Sequence, residues 1–152
     1  MDDYKYMLLA LNEAKKAYDN NEVPVGAVIV KNDKVLSRAY NRKEQLKCSL
    51  EHAELIAIKE ACGKVYNWRL IDSTLYVTLE PCPMCASAIK QSRINRIVYL
   101  LDNKNENIQR IVNEILFLED ANQPVEKVKL DINKFAPEDV KILSSFFKKI
   151  RN

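Results

Sequence analysis

The sequence predicts a layered α/β domain built on a mixed β-sheet, with helices over both faces. Three observations lead there. Short apolar runs rich in β-branched residues are interleaved with segments of helical periodicity along the 152 residues. The order strand, helix, strand between residues 74 and 101 is a crossover, which makes a parallel pair. An earlier pair of strands is joined by a two-residue turn, which makes it antiparallel. With 47% hydrophobic and 30% charged residues, the chain can bury one sizeable core, so residues 1–152 are expected to form a single domain.

The elements follow in order. Residues 3–19 place Met7, Ala10, Leu11, Ala14 and Ala17 at helical spacing, with Lys15 and Lys16 pointing away. Residues 25–30 (VGAVIV) form an apolar strand, Asn32-Asp33 a turn, and residues 35–40 the return strand. The polar stretch 41–51 is expected to be a loop. Residues 52–62 read as a buried helix, with Gly63 where a C-terminal cap belongs. Residues 74–79 (TLYVTL) have high β propensity, and Glu80-Pro81 breaks the strand. Residues 82–92 form a short helix that tolerates Pro83 in its first turn. Residues 94–101 make the next strand and 109–118 a helix. Val128, Leu130 and Ile132 alternate with charges, as in a half-buried or edge strand, and Pro137 opens a final helix. Trp68 is expected in the core.

Several classes of function are excluded at this level. No apolar run approaches the roughly 20 residues that span a bilayer, and no signal-peptide pattern opens the chain, so a cytoplasmic protein is expected. The net charge of +3, from 24 basic and 21 acidic residues, permits a nucleic-acid partner without requiring one. Four cysteines in a cytosolic chain point to metal or redox use and away from disulfides.

The chemistry concentrates in His52-Ala53-Glu54 and Pro81-Cys82-Pro83-Met84-Cys85. Each opens a predicted helix, where unpaired N–H groups favour the thiolate form that zinc requires. Cys82 and Cys85 are three apart, which sets both on one side of their helix. His52 with two thiolates makes three ligands, and a catalytic zinc takes three and keeps a fourth position for water. Cys48 and Cys62 lie outside any paired spacing, and His52 is the only histidine, so a closed four-ligand site fits less well. Glu54 points about 200° away from His52 on a regular helix, which suits a proton carrier better than a neighbouring ligand. Zinc lowers the pKa of a bound water from near 16 to about 7. A carboxylate beside that water can pass its proton to a ring nitrogen and then to departing ammonia, which is the chemistry of the zinc nucleobase deaminases. A C-x-x-C pair read alone would also suit a redox site, but that leaves His-x-Glu without a role.

These residues, together with EVPVGAVIV at 22–30, Asn41 after Ala39-Tyr40, NWRLIDSTLYVTLEPCPMC at 67–85 and ASAIKQSRINRIVY at 86–99, resemble the bacterial tRNA-specific adenosine deaminases. That resemblance implies a cytidine-deaminase-like three-layer α/β/α sandwich with a five-stranded sheet, a homodimer, a Zn2+ cofactor and the anticodon loop of a tRNA as partner. It implies zinc ligands at His52, Cys82 and Cys85 and a proton shuttle at Glu54. Asn41 matches a base-contacting asparagine; Val25 and the backbone of Ala53 match the pocket lining. Phe146 and Phe147 match an aromatic pair near the RNA. An unpaired loop base is cheap to splay into such a pocket. Two stretches depart from the family. Cys48-Ser49-Leu50-Glu51 replaces a Pro-Thr-Ala run. Residues 100–110 lack the family's glycines, and its RNA-facing Asp aligns with Asn103, or with Asp102 if the register slips by one. The alternatives are a deaminase of free guanine, cytosine or a nucleotide on the same scaffold, and a non-catalytic zinc-holding subunit that binds RNA.

Overall fold

The computed structural model describes residues 2–120 and 123–150, the side chains of 146–150 excepted. Its elements are helices α1 (Asp3–Asp19), α2 (Lys43–Leu46), α3 (Ala53–Val65), α4 (Pro83–Gln91), α5 (Glu106–Leu116) and α6 (Pro137–Ile150), and strands β1 (Gly26–Lys31), β2 (Lys34–Tyr40), β3 (Ser73–Leu79), β4 (Arg96–Leu101) and β5 (Glu126–Lys129). The strands form one sheet in the order β2-β1-β3-β4-β5. β1 is antiparallel to both β2 and β3, while β3–β4 and β4–β5 are parallel, so the sheet is mixed as expected.

Alternation along the strands sorts the core into two halves. Ala27, Ile29, Leu75, Val77, Ile97 and Tyr99 face α3, α4 and α5, where Ala57, Ala61, Ala86, Ile89 and Val112 meet them. Val28, Val30, Tyr76, Val98 and Leu100 face α1 and α6, against Met7, Ala10, Leu11 and Leu143. The result is a three-layer α/β/α sandwich. Gly26 shows how closely α1 lies on the sheet: a Cβ there would stand 1.9 Å from the Ala10 carbonyl oxygen. The β1–β2 turn closes between Lys31 and Lys34, with Asn32 and Asp33 at φ 52° and 58°, the signature of a type I′ hairpin.

Four sequence expectations need correction. The last strand ends at Lys129, so Leu130 and Ile132 lie beyond it, Ile132 in a short 3₁₀ turn. Residues 41–51 are not all loop, because Lys43–Leu46 form α2. The carboxylate of buried Glu22 accepts the backbone N–H groups of Glu44 and Gln45, at 3.0 and 2.8 Å, and so caps that short helix from outside. Gly63 lies inside α3, and Tyr66 ends the helix in the left-handed conformation at φ 53°. Trp68 is 51% exposed, with the Arg69 and Arg93 guanidiniums 4.2 and 5.2 Å from its ring centroid. Two cations stacked on an indole satisfy it at the surface.

Strand direction places the functional edge. β2, β3 and β4 run the same way, so their carboxyl ends, followed by residues 41, 80 and 102, emerge at one side of the sheet. β1 runs against them, which brings the residues just before it to that side as well. Ligands of open α/β sheets bind outside such carboxyl ends.

Candidate active site

His52 and Cys82 occupy equivalent places, each as the residue before the first helical one. His52 caps α3 with extended backbone (φ −77°, ψ 148°) and Cys82 caps α4 (φ −75°, ψ 169°). Cys85 is then the third residue of α4 and is fully buried. A cap and the third helical residue converge at a helix start, as in a capping box, so C-x-x-C closes on itself there. Pro83 at the first helical position costs no hydrogen bond. Because His52 precedes the helix, its extended backbone, and not a regular turn, sets its direction relative to Glu54.

The three donor atoms lie within 4.8 Å of one another. His52 Nδ1 is 3.7 Å from Cys82 Sγ and 3.5 Å from Cys85 Sγ. Tetrahedral zinc with ordinary Zn–N and Zn–S bonds sets a nitrogen and a thiolate about 3.6 Å apart. The donor set and its spacing therefore fit zinc bound through the Nδ1 nitrogen. The Cys85 thiol beside Cys82 pulls that thiol down to about 4, with burial opposing and His52 assisting. The same contact and burial push Cys85 up, and the Cys82 contact raises His52. A cation bound here would take the place of the protons on these groups.

Glu54 is 4% exposed, and burial pushes its carboxyl up to about 6. A carboxyl in that range can both take and release a proton near neutral pH. It opens into a cavity of about 130 Å³ lined by Val23, Val25, Asn41, Lys43, His52, Glu54, Leu79, Glu80, Cys82 and Asn103. Every one of these residues belongs to the strand ends and helix starts identified above. Asn41 is 4% exposed, and its backbone N–H donates to the Val25 carbonyl at 3.1 Å.

The cavity thus unites Val25, Asn41, His52, Glu54, Cys82 and Asn103. Cys85 lies beneath it, in contact with His52. Ala53 is fully buried in the core and is not among the lining residues. Phe146 and Phe147 lie outside the described side chains. Asn103, and not Asp102, faces the cavity; Asp102 pairs with Lys129 at 2.7 Å. None of Cys48, Ser49, Leu50 or Glu51 lines the cavity, and neither does Cys62. Val23, Lys43, Leu79 and Glu80 are lining residues that sequence reasoning missed. Glu80 had a signal available, as a charged residue directly following an apolar strand and three before Pro83.

The profile of the MafB19-like deaminases matches residues 1–151. A tRNA-specific adenosine deaminase from Bacillus subtilis (strain 168) is 40% identical over 149 residues, covering 98% of this chain and 91% of that protein. The chain belongs to this deaminase family, in its tRNA-specific adenosine deaminase branch. A second member of that branch, from Aquifex aeolicus (strain VF5), is also 40% identical, over 97% of this chain and 95% of its own. A chloroplastic tRNA(adenine(34)) deaminase from Arabidopsis thaliana is 55% identical over 102 residues, 67% of this chain but 8% of that protein. Among solved structures, one from a study of A-to-I editing by tRNA:A34 deaminases matches with TM-score 0.72 and 34% identity, covering 84% of this chain and 98% of that one. A guanine deaminase from Bacillus subtilis shares the fold, with TM-score 0.67 at 23% identity, over 97% of this chain and 95% of its own. The chain is accordingly an enzyme of the hydrolytic deaminase class.

Proposed function

We propose that this deaminase converts adenosine to inosine at the wobble position of a tRNA anticodon, with zinc held by His52, Cys82 and Cys85. The observation that carries the reading is the convergence of His52, Cys82 and Glu54 on one cavity, with Cys85 in contact with His52 beneath it, in a chain that tRNA-acting relatives match over nearly its whole length. We further take residues 1–152 as one catalytic domain working as a cytoplasmic homodimer, as the family resemblance implies. No helix among the described residues is long and apolar enough to cross a membrane.

Zinc, when bound, supplies a Lewis acid that makes water acidic enough to lose a proton near neutral pH. Glu54 accepts that proton and carries it to the ring nitrogen next to the carbon under attack. It then takes the second proton from the hydroxyl newly bonded to that carbon and delivers it to the departing amine, so the C–N bond breaks and adenosine and water yield inosine and ammonia. Burial keeps Glu54 from resting as a solvated carboxylate. Val23, Val25 and Leu79 give the base an apolar seat, and the amide of Asn41 offers it a donor and an acceptor. Asn103 reaches the same cavity from the end of β4, where the sugar or a neighbouring nucleotide would enter.

The test is incubation of zinc-loaded protein with total tRNA and, separately, with guanine, cytidine and adenosine. Inosine at an anticodon wobble position, with no ammonia from the small molecules, is the expected result. Ammonia from a free base with unmodified tRNA would place the substrate elsewhere on the same scaffold.

A further inference from the structure

Glu80 is a buried carboxylate in the cavity wall to which the deamination chemistry gives no task. Its side chain is 1% exposed and that of its ion-pair partner Lys127 is 10% exposed. Both carboxylate oxygens are engaged. One accepts the backbone N–H of Asn103 at 2.9 Å, and the other accepts from Lys127 Nζ. Lys127, on β5, also donates to Asn113 Oδ1 of α5 at 2.7 Å. The Glu80 backbone N–H donates to the Leu101 carbonyl at 2.8 Å, so this residue ties the end of β3 to the end of β4. Asn103 is held from its other side too. Its Oδ1 accepts the Asn105 N–H at 3.0 Å, and its carbonyl accepts from Gln109 Nε2 of α5.

A buried ion pair is a poor source of stability, because desolvating two charges offsets most of their attraction. It does hold both groups in fixed directions, which a site needs from the residues around it. Here the fixed group is the backbone amide of a residue that faces the substrate cavity.

We propose that Glu80, neutralised by Lys127, is a positioning residue that holds the 102–105 segment so that Asn103 meets the substrate. The identity of the substrate rests on the tRNA reading; the coupling of Glu80 to Asn103 does not. Because Glu80 holds Asn103 and not a reacting group, its loss is felt in substrate affinity before rate. Residues 100–110 depart from the family pattern, and this pair fastens them to the catalytic strand.

The experiment measures the Kd of a fluorescent anticodon stem-loop by anisotropy on zinc-loaded Glu54→Gln protein, and kcat and KM on the parent with Glu54 intact. Glu80→Ala should raise Kd and KM about tenfold, with kcat within about threefold. Asn103→Ala should do the same, and the two together should be no worse than either alone. Glu80→Gln combined with Lys127→Met keeps an acceptor for the Asn103 amide and removes both charges, so it should bind within about threefold of the parent. Losses that multiply overturn the proposal, as does a fall in kcat at unchanged KM. Weak binding by the neutral pair, despite parental zinc content and thermal stability, overturns it as well. If the parent makes no inosine while the binding cycle holds, the tRNA-deamination reading fails and the positioning role stands. If the parent makes inosine while the losses multiply, the reverse is true.

Discussion

Cys82 and Cys85 meet because one caps a helix and the other sits in its first turn, and His52 meets them because it caps a second helix opening at the same sheet edge. This much was legible in the sequence, since a C-x-x-C at a helix start and a His-x-Glu at another leave little freedom. Asn41 was harder to read, because the same residue serves equally well in a turn; its burial and its place in the cavity come from the end of β2. Asn41→Ala is expected to raise KM by roughly tenfold or more while leaving zinc content unchanged, since a buried amide that pairs with a base leaves partners unsatisfied when removed. Equal loss of zinc, measured by metal analysis, would make it a structural residue of the metal site. A second residue-scale expectation concerns pH. Arg96 grips Asp3 with two bonds of 2.8 and 2.7 Å, and Tyr76 adds a third of 2.7 Å. The Arg96 guanidinium holds the Asp3 carboxyl below its ordinary range. A carboxyl lowered on folding contributes stability above its unfolded pKa, near 3.9, and that contribution is lost as pH falls through the folded value. Asp3→Asn should therefore lower Tm by about 3 °C at pH 7, and the gap should close below about pH 4.

At the scale of elements, the long helices and the β strands were readable from periodicity, and the misses have physical causes. α2 has four residues, too short to carry a periodic signal, and it exists because Glu22 caps it from a distant part of the chain. Gly63 resembled a cap, yet the helix runs on to Val65 because nothing at Gly63 takes a positive φ. Trp68 looked like core, but at the surface its ring meets the neighbouring Arg69 and, once the chain folds, Arg93. The packing of α1 on β1 yields a direct expectation. Gly26→Ala must push a methyl group into the Ala10 carbonyl and the Ala14 amide nitrogen, at 1.9 and 2.6 Å, and both are backbone. The helix has to lift off the strand, which should cost about 2–3 kcal/mol and lower Tm by roughly 5 °C or more in a thermal melt. A neutral outcome would mean that α1 can slide on the sheet.

At the scale of the whole molecule, the cavity follows from strand direction. Four strands, β2 to β5, run the same way and β1 runs against them, so segments from distant parts of the chain end or begin at one edge. Sequence motifs singled out the proposed zinc ligands and Glu54, but Val23, Lys43, Leu79 and Glu80 carry no motif and become lining residues only when the sheet assembles. The register of the segment after β4 was likewise open until the fold turned Asn103 inward and paired Asp102 with Lys129. In the proposed function three residues hold the metal and a fourth, Glu54, moves the protons. Its most direct test is to make Glu54→Ala and record zinc content and inosine formation on the same preparation. Zinc should equal that of the unsubstituted enzyme, and turnover should fall by about 10²–10⁴-fold. Loss of zinc would make Glu54 part of the metal site, and retained turnover would move the proton chemistry to another group.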